Sequence, residues 1–99
     1  MDRRLELQTI LEGIVDRVYF QPPDSTKIEY PCIVYALEGI FTNPANNKNY
    51  MAINRYSMVY IDRDPDSEAI KELIMLPMTR FDRFYRSDSL NHWSFEIYY

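Results

Sequence analysis

The first regular pattern in the chain is LELQTILEGIVDRV, where Leu7, Ile10, Leu11, Ile14, Val15 and Val18 recur at helical spacing. Apolar residues at i, i+3, i+4, i+7 and i+8 form one continuous stripe, so this stretch predicts an amphipathic helix. Gly13 inside it costs roughly 1 kcal/mol relative to Ala. In VYFQPPDSTKIEYP the paired prolines cannot extend a helix and push the chain into extended geometry, which predicts a connector. CIVYALEGIF then has the composition of a buried strand, and YMAINRYSMVYID that of a second. Between them TNPANNKN carries four Asn and a Pro, so residues 32–62 predict a hairpin with a long polar loop at its tip.

The passage YIDRDPDSEAIKEL predicts a change from strand to helix. Asp64 suits an N-cap, Pro65 the first helical position, and Asp66 and Glu68 the positive end of the helix dipole. Ile70, Leu73 and Ile74 form an inward stripe, and Pro77 ends the helix after about twelve residues. TRFDRFY and NHWSFEIYY are both β-rich, with turn formers in the intervening RSDSL, and predict a second hairpin. Along the last strand Trp93, Phe95, Ile97 and Tyr99 share one face and His92, Ser94, Glu96 and Tyr98 the other.

The expected architecture is therefore α+β, in the order α-β-β-α-β-β, as a single domain over residues 1–99. Two helices pack on one face of a largely antiparallel four-stranded sheet, since Leu7, Ile10, Leu11, Ile14, Ile70, Leu73 and Ile74 need a common apolar surface. The second strand has no plainly polar side. Met51, Ile53, Val59 and Ile61 point one way, and Tyr50, Ala52, Tyr56, Met58 and Tyr60 the other. Two helices cover only one of these sides, which leaves a tyrosine-rich patch for subunit or tail contact, unless the connector from Tyr19 to Pro31 folds over it. On this reading Tyr50, Tyr56, Met58 and Tyr60 form the contact, rimmed by Arg80, Arg83 and Arg86. The loop residues Thr42, Asn43, Asn46, Asn47, Lys48 and Asn49 form a mobile docking element.

Composition narrows the chemistry. No run of the chain approaches the roughly 18 apolar residues of a membrane span, and MDRRLELQTILEGIVDRVYF is too interrupted by acids for a secretory signal, so a soluble intracellular protein without membrane contact is expected. A net charge of −4 disfavours a general nucleic-acid binder. Asp82 and Asp88 interleave the arginines of TRFDRFYR, so a solvated face or inter-subunit ion pairs are favoured there over a phosphate backbone. Cys32, the single cysteine, lies among apolar residues as an inert thiol. His92 is the single histidine, and with no second His or Cys it does not anchor a zinc site and is expected as a strand-edge surface residue. None of the serines stands in a Gly-x-Ser-x-Gly setting.

Asp62, Asp64 and Asp66 are the most chemistry-like group. A calcium loop starting at Asp62 needs Gly sixth and Glu twelfth, where this chain has Ser67 and Leu73. A metal-dependent nuclease could draw on Asp66, Glu68 and Lys71, but those residues lie in a predicted first helical turn with no basic track beside them. No cofactor and no enzymatic activity are expected.

Taken together, an amphipathic first helix followed by VYFQPP, then YPCIVY, an Asn-rich segment before a Tyr, IDRDPDS and a terminal FDRFYRSDSLNHWSFEIYY resemble the small tail completion or tail terminator proteins of long-tailed bacteriophages and prophages, some of them labelled minor capsid proteins. The likeness runs over nearly the full length and rests on the order of the motifs. It implies an α+β fold and a structural virion protein, made in the host cytoplasm, that forms a ring, often of six subunits. Such a ring caps the tail tube and joins it to the head-side connector. A small metal-dependent phage nuclease and a nucleic-acid-binding accessory module, without sequence specificity, are the alternatives.

Overall fold

A computed structural model describes residues 3–45, 48–77 and 79–99, with the backbone alone at 43–45 and 48–51. Its elements are α1 (Arg3–Glu12), β1 (Val18–Phe20), β2 (Cys32–Ala45), β3 (Lys48–Asp62), α2 (Ala69–Ile74), β4 (Thr79–Ser87) and β5 (Leu90–Tyr98). The architecture is α+β, with two helices and one five-stranded mixed sheet in the order β1-β2-β3-β5-β4.

The fifth strand corrects the four-stranded expectation. Val18, Tyr19 and Phe20 pair in parallel with Ile33, Val34 and Tyr35. The PP pair that marks a connector begins only after this three-residue strand, and Val18 and Phe20 turn inward against the core, so the end of the predicted helical stripe belongs to β1. The helix itself ends at Glu12. Gly13 lies just beyond it and donates its N–H to the Thr9 carbonyl at 3.1 Å, so Gly13 closes the helix and is not an interior residue.

The central hairpin is longer than its composition suggests. β2 and β3 stay paired from Cys32↔Ile61 out to Ala45↔Lys48, with irregularities at Leu37/Gly39 and Asn43/Pro44. Thr42, Asn43, Lys48 and Asn49, expected in a mobile loop, are strand residues; Asn46 and Asn47 lie outside the described residues. Backbone pairing across the hairpin outweighs the weak strand preference of Asn. β5 pairs with β3 only from Arg55 to Asp62. Beyond Arg55 the two strands continue as an arm with no third strand among the described residues, roughly 20 Å long at about 3.3 Å per residue. The molecule measures 51 × 28 × 23 Å.

The second hairpin is as expected. β4 and β5 join through Asp88 and Ser89, with φ of 53° and 63°, the two left-handed residues of a tight turn that matches strand twist. Trp93, Phe95 and Ile97 are buried along one face of β5.

Both helices lie on that same face. Leu7, Leu11 and Val15 from the α1 end and Leu73 from α2 share one cluster with Ile33, Tyr35, Tyr56, Met58, Tyr60, Trp93, Phe95 and Ile97. Ile10 and Ile74, placed in the common stripe by spacing, are instead exposed, at 40% and 50%. The cause is helix length. A ten-residue and a six-residue helix cover little of the sheet, and each buries only a narrow stripe.

Candidate interaction surface

The strand register decides which side of β3 is covered. Tyr56, Met58 and Tyr60 pair with Ile97, Phe95 and Trp93 of β5, and on the other flank Tyr60 and Met58 pair with Ile33 and Tyr35 of β2. Residues paired across strands share a face, so these three side chains join the core. They are at most 2% exposed. This corrects the expected contact patch. The alternation along β3 is as read, but the helices cover the tyrosine side. Tyr50 sits in the arm portion of β3.

The tyrosine hydroxyls in this core are all partnered. The Tyr35 hydroxyl donates to the Gln8 Oε1 of α1, and Tyr56 accepts from the Asn54 amide at 3.2 Å. The Tyr60 hydroxyl meets the Asp62 carboxylate at 2.6 Å and Ser67 Oγ at 2.7 Å. Burial, and then the Asp62 carboxylate, push the Tyr60 phenol well above its ordinary range. Tyr35 is raised as well, mainly by burial.

The acidic passage is built as turns. Asp62 Oδ1 accepts the Asp64 N–H at 3.0 Å, and Asp64 Oδ1 accepts the Asp66 N–H at 2.9 Å. Each aspartate caps the backbone two residues on, as short acidic side chains do in loops. α2 therefore begins only at Ala69, after Glu68, which makes no side-chain cap bond. Asp64 is not the helix cap and Pro65 is not its first residue. Asn91, buried in β5, ties the same passage down by donating to the carbonyls of Asp62 and Arg63. Among the described residues no group of three His, Cys, Asp or Glu side chains is gathered as metal ligands would be.

The face of the sheet away from the helices carries Val34, Ser57, Val59, His92, Ser94, Glu96 and Tyr98, all partly exposed. The connector reaches it at the β1 end, where the Tyr19 hydroxyl accepts the Glu29 N–H, and Ile61, on the same face, is buried. Cys32, at the start of β2, is fully buried, and burial pushes its thiol up to about 11. At the other margin Arg80, Arg83 and Arg86 are exposed on the edge strand β4, and Arg80 and Arg83 lie on the face opposite the tyrosines that they were expected to rim. Arg80 and Arg83 pair with Glu96 and Ser94 and so belong to this open face, whereas Arg86 pairs with buried Asn91 on the other. Tyr85 stacks on His92 at 4.7 Å with Arg83 over its ring, and Asp82 accepts from Ser94 Oγ.

Two features here went unread in the sequence. Ile40 and Phe41, on the arm, are 61% and 55% exposed. Beside them Arg55 lies against Gly39, where a Cβ would stand 3.3 Å from the guanidinium Nη2. Its buried Nε has no hydrogen-bond partner among the described residues. Gly39, Ile40, Phe41, Arg55 and Tyr98 line an open cavity of about 230 Å³. The lone Gly in β2 was the available signal, because glycine inside a strand marks a bulge or a close approach.

No family model, curated protein or solved structure matches the chain. No helix among the described residues is long and apolar enough to cross a membrane.

Proposed function

We propose that the chain is a structural phage virion protein that completes or terminates the tail, assembling as a ring that joins the tail tube to the head-side connector. The order of motifs along the chain suggests this reading, and the arm is the observation that carries it. A two-stranded ribbon with no third strand is marginal in water by itself, and this one exposes Ile40 and Phe41. Such a ribbon gains stability by lying against another protein, as a subunit of a ring does. The open sheet face, with Arg80, Arg83 and Tyr98 beside partly exposed Val59, offers a second contact of the mixed apolar and polar kind usual between proteins.

A nucleic-acid-binding role is the second reading, favoured by Arg83 over the Tyr85–His92 stack on an open sheet. Glu96 and Asp82 stand among these groups and weaken it.

Purified chain added to tails assembled without it tests the proposal. The expected result is a ring at the head-proximal end in electron micrographs and restored joining to heads. Tails that stay bare and unjoined overturn it.

A further inference from the structure

The Nε of Arg55 is the one buried side-chain donor atom without a hydrogen-bond partner among the described residues, in a side chain that is otherwise partly exposed. It points away from the core, since its neighbour Tyr56 points in, and it lies on bare backbone at Gly39 in an open cavity walled by Phe41 and Tyr98. A buried N–H without an acceptor is costly, and on a guanidinium an anionic acceptor relieves it best, with apolar surface alongside to cover Phe41.

The same chain carries that combination elsewhere. The end of α2 exposes Ile74 at 50% and Met75 at 80%, beside the exposed Glu72. The passage into α2 adds Asp64, Asp66 and Glu68, all exposed. α2 packs on the helix face of the sheet through Leu73, whereas Arg55 opens on the opposite face. One molecule cannot bring its own α2 to its own Arg55.

We propose that the occupant of the Arg55 cavity is the α2 end of a second copy of this chain, with Glu72 accepting from the guanidinium while Ile74 and Met75 cover Phe41. This rests on the ring reading above and names the contact that builds the ring. The contact joins two different surfaces, so each subunit donates one and receives one, and the series closes into a ring or runs on as a filament. It gives the open sheet face a second covering layer, and it brings acids of one subunit towards Arg55 and Arg80 of the next.

The test is a charge exchange read by sedimentation and native mass spectrometry on the purified chain. The wild type is expected to form a closed oligomer. Arg55→Glu and Glu72→Arg should each weaken self-association at least about tenfold, because like charges then face each other in a desolvated contact. The double variant should recover most of that loss. Met75→Asp, at a site too exposed to affect folding, should weaken association as well, and circular dichroism checks that every variant is folded. A wild type that stays monomeric at its highest soluble concentration overturns the inference, as does an oligomer indifferent to Glu72→Arg and Met75→Asp, or a double variant with no recovery. A monomer that still caps tails would end this inference and leave the tail reading standing. Association that appears only with added single-stranded nucleic acid would assign the cavity to a different occupant and overturn it too.

Discussion

The Tyr60 hydroxyl and the Asp62 carboxylate, two residues apart on β3, meet at 2.6 Å across the point where the strand leaves the sheet. Ser67, from the approach to α2, closes on the same hydroxyl at 2.7 Å. One buried phenol thus fixes both ends of the acidic passage. Replacing Tyr60 with Phe removes the donor and leaves the carboxylate facing the core, at a cost of about 1–3 kcal/mol. Urea titration of the purified variant measures it, and an unchanged midpoint would remove this role.

The same phenol makes stability fall in alkali. Its folded pKa lies above the ordinary 10.0, so its contribution is complete below about pH 10 and is lost as the pH rises beyond that. Cys32 acts in the same direction, its pKa rising from 9.0 to about 11, so its share is lost across that interval. The denaturation midpoint is expected to hold up to pH 9.0 and then decline, with a shallower decline in Tyr60→Phe. A midpoint that rises over this interval would contradict the assignment.

Leu11 and Leu73 are completely buried, one from each helix, against the same sheet face. Truncating either to Ala should cost about 2–5 kcal/mol, the range for a leucine whose cavity collapses only in part. Ile10→Ala, at an exposed site on α1, should cost less than about 1 kcal/mol. Equal losses for Leu11 and Ile10 would mean that α1 docks through a different stripe.

Lysine at both Tyr56 and Tyr60 places two ammonium groups among Ile97, Trp93 and Tyr35. The double variant is expected to lose its cooperative thermal transition, because buried unpaired charge is among the largest single destabilising effects. A folded double variant that merely fails to assemble would return these rings to the surface.

The described side chains of the arm take no part in the core cluster, so replacing residues 41–53 with an Asn-Gly turn that joins the partners Ile40 and Asn54 should leave the rest of the sheet folded. Circular dichroism should retain its thermal transition while joining of tails to heads is lost. Loss of folding would show that the arm is structural.

The sequence revealed that there are two helices, four of the five strands and the β4–β5 turn, because those signals are local, though not where either helix stops or starts. Helical spacing marks Leu7 and Leu11, and strict alternation marks Trp93, Phe95 and Ile97. Sidedness was not local. Both faces of β3 are apolar enough to be buried, and the choice falls on the tyrosine side because β5 presents Phe95 to Met58 there and Ser94 to Val59 on the other. The clean alternation of β5 contained that answer, though only once its register with β3 was known. The Asn-rich tip misled in another way, since turn-forming residues describe what a segment tolerates and say little about the partner strand that holds it. Arg55 gave no signal, because an orphaned donor is a property of the surroundings and not of the residue.

The tight Asp88–Ser89 turn has a practical consequence. It sits at the start of β5, next to the pair Asp62↔Asn91, whereas the arm departs at the other end, beyond Arg55↔Tyr98. An epitope or a small fluorescent module spliced between Asp88 and Ser89 would project from the pole opposite the arm, and could serve as a handle for microscopy that leaves the arm and the Arg55 cavity clear.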